Sequence, residues 1–251
     1  MAEGEKLRLD DLLVQKGLAE SKAKAQALIM AGKVFCGTQR LDKAGKKVEA
    51  ELDVRVESPP KYVSRGGEKL EGILAAAPEV KVQGALCLDV GASTGGFTDC
   101  LLQHGAAEVV AVDVGHNQMH PKIKNDPRVK SFEGINAREM KKEGLPYVQY
   151  DIVVMDLAFI SQRKVLENVW NFVKIGGVLV SLIKPQFEVT KLEADKCQGV
   201  VKDDAVRERA VNEVREFAKE KLPGLTEEKI IPSPIDGSEG NKEFLVVWRR
   251  A

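Results

Sequence analysis

Residues 87–98 read Cys-Leu-Asp-Val-Gly-Ala-Ser-Thr-Gly-Gly-Phe-Thr, and this stretch decides the fold. An apolar strand of the buried kind stops at Asp89, turns through small residues and opens a helix near Gly96. That arrangement presents backbone N–H groups and a helix N-terminus to a ligand at the carboxyl edge of a parallel sheet. A second strand, over 109–114, follows about twenty residues on and carries Asp113, where an acidic side chain grips a ribose hydroxyl pair. The run lacks the G-x-G-x-x-G spacing that suits a dinucleotide pyrophosphate.

Working outward, strands are expected at 86–90, 109–114, 129–132, 151–157, 178–183, 226–231 and 244–249, with helices between them, notably over 163–173 and 204–222. Alternation of this kind gives a mostly parallel sheet covered on both faces. The last two strands have no helix between them and are expected to form a hairpin at one edge. Upstream, the chain divides at Ser58-Pro59-Pro60. Before that point Leu9, Leu12 and Leu13 mark a short amphipathic helix. Ser21 can cap a second helix whose Ala25, Leu28 and Ile29 share a face, and Gly32 can end it. Val34-Phe35, a turn, and short strands around Val48 and Val54–Val56 complete a small hairpin unit, too small to be more than marginal alone.

Lys plus Arg equals Asp plus Glu at 38 each, so net charge says nothing about a polyanionic partner. Local charge does. Between Ser21 and Lys47, Lys22, Lys24, Lys33, Arg40, Lys43, Lys46 and Lys47 face the single acid Asp42. Screening over about 8–10 Å makes such a patch matter more than the total. Cys36, Cys87, Cys100 and Cys197 are far apart with no C-x-x-C pair, which argues against a metal site or disulfide framework and fits a reducing cytosol. The first twenty residues hold no apolar signal core, and the longest apolar stretch, 178–183, falls far short of the ~20 residues of a spanning helix. The expectation is a soluble, cytoplasmic chain with no membrane contact.

Four charged positions sit where a parallel sheet presents its ligand-binding edge. Lys69 lies at the start of the larger domain's first helix, Asp156 ends an apolar strand, Lys184 ends another and precedes Pro185, and Glu243 stands before the last strand. Any one of the lysines alone, or Glu243 alone, reads as a solvated end; four together read as function.

Asp-x-Gly-x-x-x-Gly-Gly followed by a strand-end Asp resembles the cofactor loop of S-adenosylmethionine (SAM) methyltransferases. Beyond it, segments 64–70, 88–102, 111–115, 126–129, Asn136-Ala137-Arg138, Phe159-Ile160-Ser161, 184–188 and 240–244 resemble the TlyA/hemolysin A family over nearly the whole chain, the Lys184-Pro-Gln-Phe-Glu188 run being the most specific. The resemblance implies an α/β fold: a Rossmann-like SAM methyltransferase sheet with helices on both faces, preceded by a small α+β RNA-binding domain. The boundaries are 1–58 for the RNA-binding domain, 59–63 for a linker and 64–251 for the FtsJ-like methyltransferase domain. It implies SAM-dependent 2′-O-methylation of ribosomal RNA, ribosomal subunits as partners, and a Lys-Asp-Lys-Glu tetrad at Lys69, Asp156, Lys184 and Glu243. SAM is expected to contact Asp89, Gly91, Ala92, Ser93, Thr94, Gly95, Gly96, Phe97, Asp113, Asn136 and Asp156. A monomer is compatible with the sequence. The alternatives are a non-catalytic RNA-binding or ribosome-assembly factor, and a membrane-active hemolysin. The chain departs from the family pattern at Leu157-Ala158, Cys36-Gly37 and Cys197-Gln198-Gly199.

Methyl transfer to a ribose hydroxyl needs in-line positioning and removal of one proton. Lys184 is the candidate base. A lysine accepts a proton only when neutral, which a second ammonium nearby (Lys69) favours and carboxylates oppose, so Asp156 and Glu243 are read as orienting the lysines. RNA is expected to be held by phosphate contacts from Lys22, Lys24, Arg40, Lys43, Lys46, Lys47 and, beside the tetrad, Arg65. Phe35 reads as core, not as a base-stacking platform.

Overall fold

The computed structural model describes residues 6–57 and 60–251. Ser58 and Pro59, part of the expected boundary, lie outside the described residues. The chain divides into two units, Met1–Pro60 and Lys61–Ala251.

The first unit runs β1 (Lys6–Arg8), α1 (Leu9–Gln15), α2 (Lys22–Met30), β2 (Val34–Cys36), β3 (Gln39–Arg40), β4 (Lys47–Glu49) and β5 (Arg55–Val56). β1 pairs with β4, and β3-β2-β5 form a small antiparallel sheet. Ser21 caps α2 by accepting the Lys24 N–H at 3.2 Å, and Gly32, at φ +69°, follows its last turn in the left-handed conformation that glycine adopts without strain. Leu9, Leu12, Leu13, Ala25, Ile29, Val34 and Val48 form the core. Asp10 is fully buried among them, and Arg8 grips it through two hydrogen bonds of 3.0 and 2.8 Å. That contact, with Gln26 donating a third, holds the Asp10 carboxyl well below the usual range. Phe35 differs from expectation. It is half-buried outside this core, with the Arg55 guanidinium 4.8 Å over its ring, because on β2, the short central strand of the β3-β2-β5 sheet, it alternates with Val34 and Cys36, which take the face toward the core.

The second unit begins with Tyr62 buried in its core and the Val63 N–H donated to Asp99 at 2.9 Å, so the stretch read as a linker is here part of the packed unit from Lys61 onward. Its elements are α3 (Arg65–Ala76), β6 (Leu86–Val90), α4 (Gly96–Gln103), β7 (Glu108–Asp113), α5 (Pro121–Lys124), β8 (Val129–Glu133), β9 (Tyr150–Met155), α6 (Leu166–Trp170), β10 (Val173–Ile183), α7 (Pro185–Glu188), α8 (Lys191–Lys196), α9 (Asp204–Lys221), β11 (Leu225–Pro232) and β12 (Phe244–Arg250). Seven strands lie in the order β11-β12-β10-β9-β6-β7-β8. β10, β9, β6, β7 and β8 are parallel, and β12 runs antiparallel to both β10 and β11, giving the expected edge hairpin.

Period-two alternation sends successive strand residues to opposite faces. Ile152 and Val154 pack with Leu70, Ile73 and Leu101 of α3 and α4, while Val153 and Met155 pack with Leu166, Val169 and Val214 of α6 and α9. Both faces are therefore covered, as a parallel sheet requires. One expected helix is shorter than read. The 163–173 stretch resolves into a 3₁₀ turn (Gln162–Lys164), α6, and the start of β10 at Val173, because Phe172 and Val173 turn inward and Gly176, at φ +79°, lets the strand continue past an irregular register. The carboxyl ends of β6, β7, β9 and β10 converge on one edge.

Candidate active site

After β6 the chain makes a tight loop with Gly91 at φ +85°, Ser93 at +47° and Gly95 at +89° before α4 begins. Gly91 and Ala92 both donate their N–H to Val112 O, at 2.9 and 3.1 Å, which ties the loop to β7. Smallness here is geometric. A Cβ on Gly91 would collide with the Asp156 carbonyl oxygen, and one on Gly96 would collide with Ser64 Oγ.

Two adjoining cavities open along this loop and share Gly91, Ser93, Asp156 and Ala158. The larger, of about 480 Å³, is walled by Val112, Val114, Ile135 and Leu157, with Ser93, Asp113, Gln118, Asn136, Arg138 and Asp156 as its polar groups. The smaller, of about 300 Å³, is lined by Ser64, Arg65, Lys69, Thr94, Phe97 and Lys184. A mostly apolar wall with a few polar groups is what a nucleoside-sized ligand needs.

Asp113 accepts the Ser93 N–H on one carboxylate oxygen and the Gly115 N–H on the other, each at 2.7 Å. Each oxygen keeps a further lone pair for a ligand hydroxyl. Asn136 lines the same cavity and accepts the Arg138 N–H at 3.0 Å. Ala92, Thr94 and Phe97 line the smaller cavity.

Asp89 and Gly95 line neither cavity. Gly95 instead packs against Ile123. Asp89 lies wholly buried beneath the loop, where Thr98 Oγ1 donates to Oδ2 at 2.6 Å and Oδ1 has no partner. Burial pushes its carboxyl up to about 7, with the charges of Asp156 and Asp113 adding to the effect against the Thr98 hydrogen bond. The folded state therefore holds a proton that the unfolded chain has released between about pH 4 and pH 7. Stability from this group is full below about pH 4 and is lost as pH rises through about 7. Asp89→Asn, which cannot ionise, is expected to gain on the wild type by a few kcal/mol over that interval. Denaturant melts of both proteins at pH 4 and pH 8 check it, and a constant difference between them contradicts it.

The four charged edge positions form two pairs. Lys69 Nζ donates to Glu243 Oε2 at 2.5 Å, with both side chains buried, and Lys184 Nζ lies 2.5 Å from Asp156 Oδ1 without the alignment of a hydrogen bond. Lys69, Asp156 and Lys184 line the smaller cavity; Glu243 stands behind Lys69 and out of it. Pro185 starts α7 directly after Lys184, its ring fixing φ at a position where no N–H is needed. Arg65 is exposed at the mouth and lies 3.5 Å from Asp236 O.

Sequence reasoning missed the rim. Phe159 is 90 % exposed at φ +62°, and its ring centroid lies 5.3 Å from that of Phe187. Gln118, Leu157 and Ile160 also line the larger cavity. A large aromatic three residues beyond a strand-end acid was the available signal. In the first unit Lys24, Arg40, Lys43, Lys46 and Lys47 are exposed and have no ion pair among the described residues, whereas Lys22 lies 2.6 Å from Asp11 and 3.9 Å from Asp10. Among the described residues no helix is long and apolar enough to cross a membrane.

A mostly parallel seven-stranded sheet, small-residue loop after its central strand and acid-ended neighbour define a Rossmann-like methyltransferase. The chain belongs to the FtsJ-like methyltransferase family, which it matches over residues 62–250, and it carries an S4 domain over residues 7–54. It is 42 % identical over 245 residues to the 16S/23S rRNA (cytidine-2'-O)-methyltransferase TlyA of Mycobacterium tuberculosis, covering 97 % of this chain and 89 % of the relative. Identity to Hemolysin A of Brachyspira hyodysenteriae is 40 %, over 95 % of this chain and 98 % of that protein. The solved structure of a presumed hemolysin from Streptococcus thermophilus superposes with a TM-score of 0.73 at 35 % identity, covering 99 % of this chain and 90 % of the other.

Proposed function

We propose that this protein transfers a methyl group from S-adenosylmethionine to a ribose 2′-hydroxyl of ribosomal RNA, on a cytidine as in the names of its TlyA relatives. The observation that carries the reading is the pair of adjoining cavities: one nucleoside-sized beside Asp113, the other lined by Lys69, Asp156 and Lys184. The residues present fit the cofactor, since the glycine-containing loop leaves room where a Cβ on Gly91 would meet Asp156, and Asp113 offers acceptors for ribose hydroxyls. When bound, SAM supplies a methyl group already activated on a sulfonium.

The chain's residues do the rest. Asp113 and Asn136 hold the nucleoside end, and Val114, Ile135 and Leu157 wall it. Lys184 Nζ, in its neutral form, would take the hydroxyl proton as the methyl carbon's bond to sulfur gives way to its bond to the ribose oxygen, and then pass that proton to solvent. Asp156 fixes where Nζ sits, and the Glu243–Lys69 pair holds the second ammonium at the cavity wall. Positioning of this kind supplies on the order of 7–11 kcal/mol of a barrier, and a placed base contributes roughly 10²–10⁴-fold. Phe159 and Phe187 offer an aromatic face on which the base of an unstacked nucleotide can rest.

The S4 domain brings the RNA through Lys24, Arg40, Lys43, Lys46 and Lys47, with Arg65 contributing at the cavity mouth and Lys22 already engaged by Asp11. A ribosomal RNA substrate supports a cytoplasmic location. Reversing Lys46 and Lys47 to glutamate should weaken RNA binding and reduce the slope of log affinity against log salt by roughly 1.5. Filter binding across a salt series checks this, and an unaltered slope removes the two lysines from the interface. The reading as a whole is tested by incubating purified protein with SAM labelled in the methyl group and ribosomal subunits. Label in the RNA supports it; label confined to ribosomal protein, or absent, contradicts it.

A further inference from the structure

The loop after β9 carries Asp156 and Phe159, and the turn after β10 carries Lys184 and Phe187. Hydrogen bonds stitch these two segments together around a single buried acid, Glu188, only 3 % exposed at the end of α7. Its Oε1 accepts the Gln162 N–H and its Oε2 accepts the Ser161 hydroxyl, both at 2.6 Å. Arg163 approaches the same carboxylate, its Nε 3.5 Å from Oε2, and its Nη2 donates to the Glu188 backbone oxygen at 2.9 Å. On the other side of Lys184, Gln162 Nε2 donates to Leu182 O at 2.7 Å. Lys184 is thus bracketed, before and after, by bonds that originate on the loop following Asp156.

A buried carboxylate is a costly packing element, since an apolar side chain of similar volume is often neutral or better for stability. Its desolvation is visible as an upward push on its own proton affinity, offset by the donors around it. Such a group is retained where its acceptors are needed, and here both oxygens are spent on one neighbouring loop. The Phe159 backbone at φ +62°, uncommon for a bulky residue, lies within the span that this acid anchors.

We propose that Glu188 is a positioning residue for methyl transfer: it clamps the Asp156 loop against the Lys184 turn and so sets where Lys184 Nζ meets the acceptor hydroxyl. The proposal rests on Lys184 being the proton acceptor. Glu188 touches neither cavity and acts through Lys184 and Asp156. Misplacement of a reacting group by about 1 Å costs roughly a hundredfold in rate.

The test compares wild type, Glu188→Ala, Glu188→Gln and Ser161→Ala by single-turnover methylation of ribosomal subunits at saturating SAM, with SAM affinity measured by calorimetry. Glu188→Ala should lose roughly a hundredfold in rate, with a much smaller loss of SAM affinity through the shared loop after Asp156. Glu188→Gln keeps an oxygen for the Gln162 N–H and should recover most of that loss. Ser161→Ala removes one of the clamp's bonds without removing the buried acid and should fall between. A Glu188→Ala protein with the wild-type rate overturns the proposal, as does one whose SAM affinity falls in step with its rate while Glu188→Gln does no better. Should Glu188→Ala not fold, Ser161→Ala decides: a slower rate at unchanged SAM affinity supports the clamp and a wild-type rate overturns it. An inactive wild type would instead overturn the methyl-transfer reading on which the clamp depends.

Discussion

Lys184→Ala is expected to abolish methyl transfer to ribosomal RNA while binding SAM almost as the wild type does. The side chain lines only the smaller cavity, and the nucleoside-sized cavity beside Asp113 is built without it. Removing Nζ leaves Asp156 without its ion-pair partner but leaves the loop at 91–97, tied to β7 through Val112 O, in place. The missing proton acceptor should cost roughly 10²–10⁴-fold and the disturbed acceptor geometry more. Calorimetry with SAM and a single-turnover assay, run on the same preparation, separate the two effects. Wild-type turnover in this variant would remove Lys184 from the mechanism. A matching fall in SAM affinity would make it a cofactor-binding residue instead.

Gly91→Ala is expected to have the next largest effect, and on the opposite half of the site. At φ +85° any L side chain is strained, by about 1–2 kcal/mol. Beyond that strain, the new Cβ collides with the Asp156 carbonyl oxygen and comes within 2.8 Å of Leu157 Cδ2. A carbonyl at the end of a buried strand has no side-chain freedom to give way, so loop and strand end must part. Each ~1.4 kcal/mol is tenfold in affinity, so SAM binding should weaken by at least about tenfold. Transfer at saturating SAM should also slow, because Asp156 moves with its carbonyl. Gly84→Ala is the matched control: φ is +75°, yet nothing lies within 4 Å of its added Cβ and it lines neither cavity. If both substitutions leave SAM affinity alone, close approach at Gly91 is not what shapes the cofactor site.

The central strands were legible because a buried parallel sheet writes itself as apolar runs ended by small or charged residues, as at 86–90 and 151–156. The edge hairpin was legible from the missing helix between the last two strands. The insertion of β12 between β10 and β11 was not, since strand order is decided by packing far along the chain. The four charged edge positions could be picked out one by one at their elements' ends. Their partition into Lys69–Glu243 and Lys184–Asp156 could not, because the first pair joins residues 174 positions apart. Asp89 read as a cofactor contact, yet Thr98 on α4 pulls its carboxylate under the loop, a choice made by tertiary contact. The stretch from Ser21 to Lys47 read as a concentrated basic patch against one acid; the folded unit shows Lys22 held against Asp11 and Lys33 against Glu57. Phe159 carried only the signal of standing three residues beyond Asp156, and its exposure, which makes it part of the rim, is decided by tertiary packing.

The most direct measurement is the chemical identity of the product. Ribosomal RNA incubated with the enzyme and SAM, then digested to nucleosides and separated by mass, should yield 2′-O-methylcytidine, absent when Lys184→Ala replaces the wild type. Methyl groups found only on bases, or none above the control, would contradict the assignment of the Lys69, Asp156 and Lys184 cavity to a ribose hydroxyl.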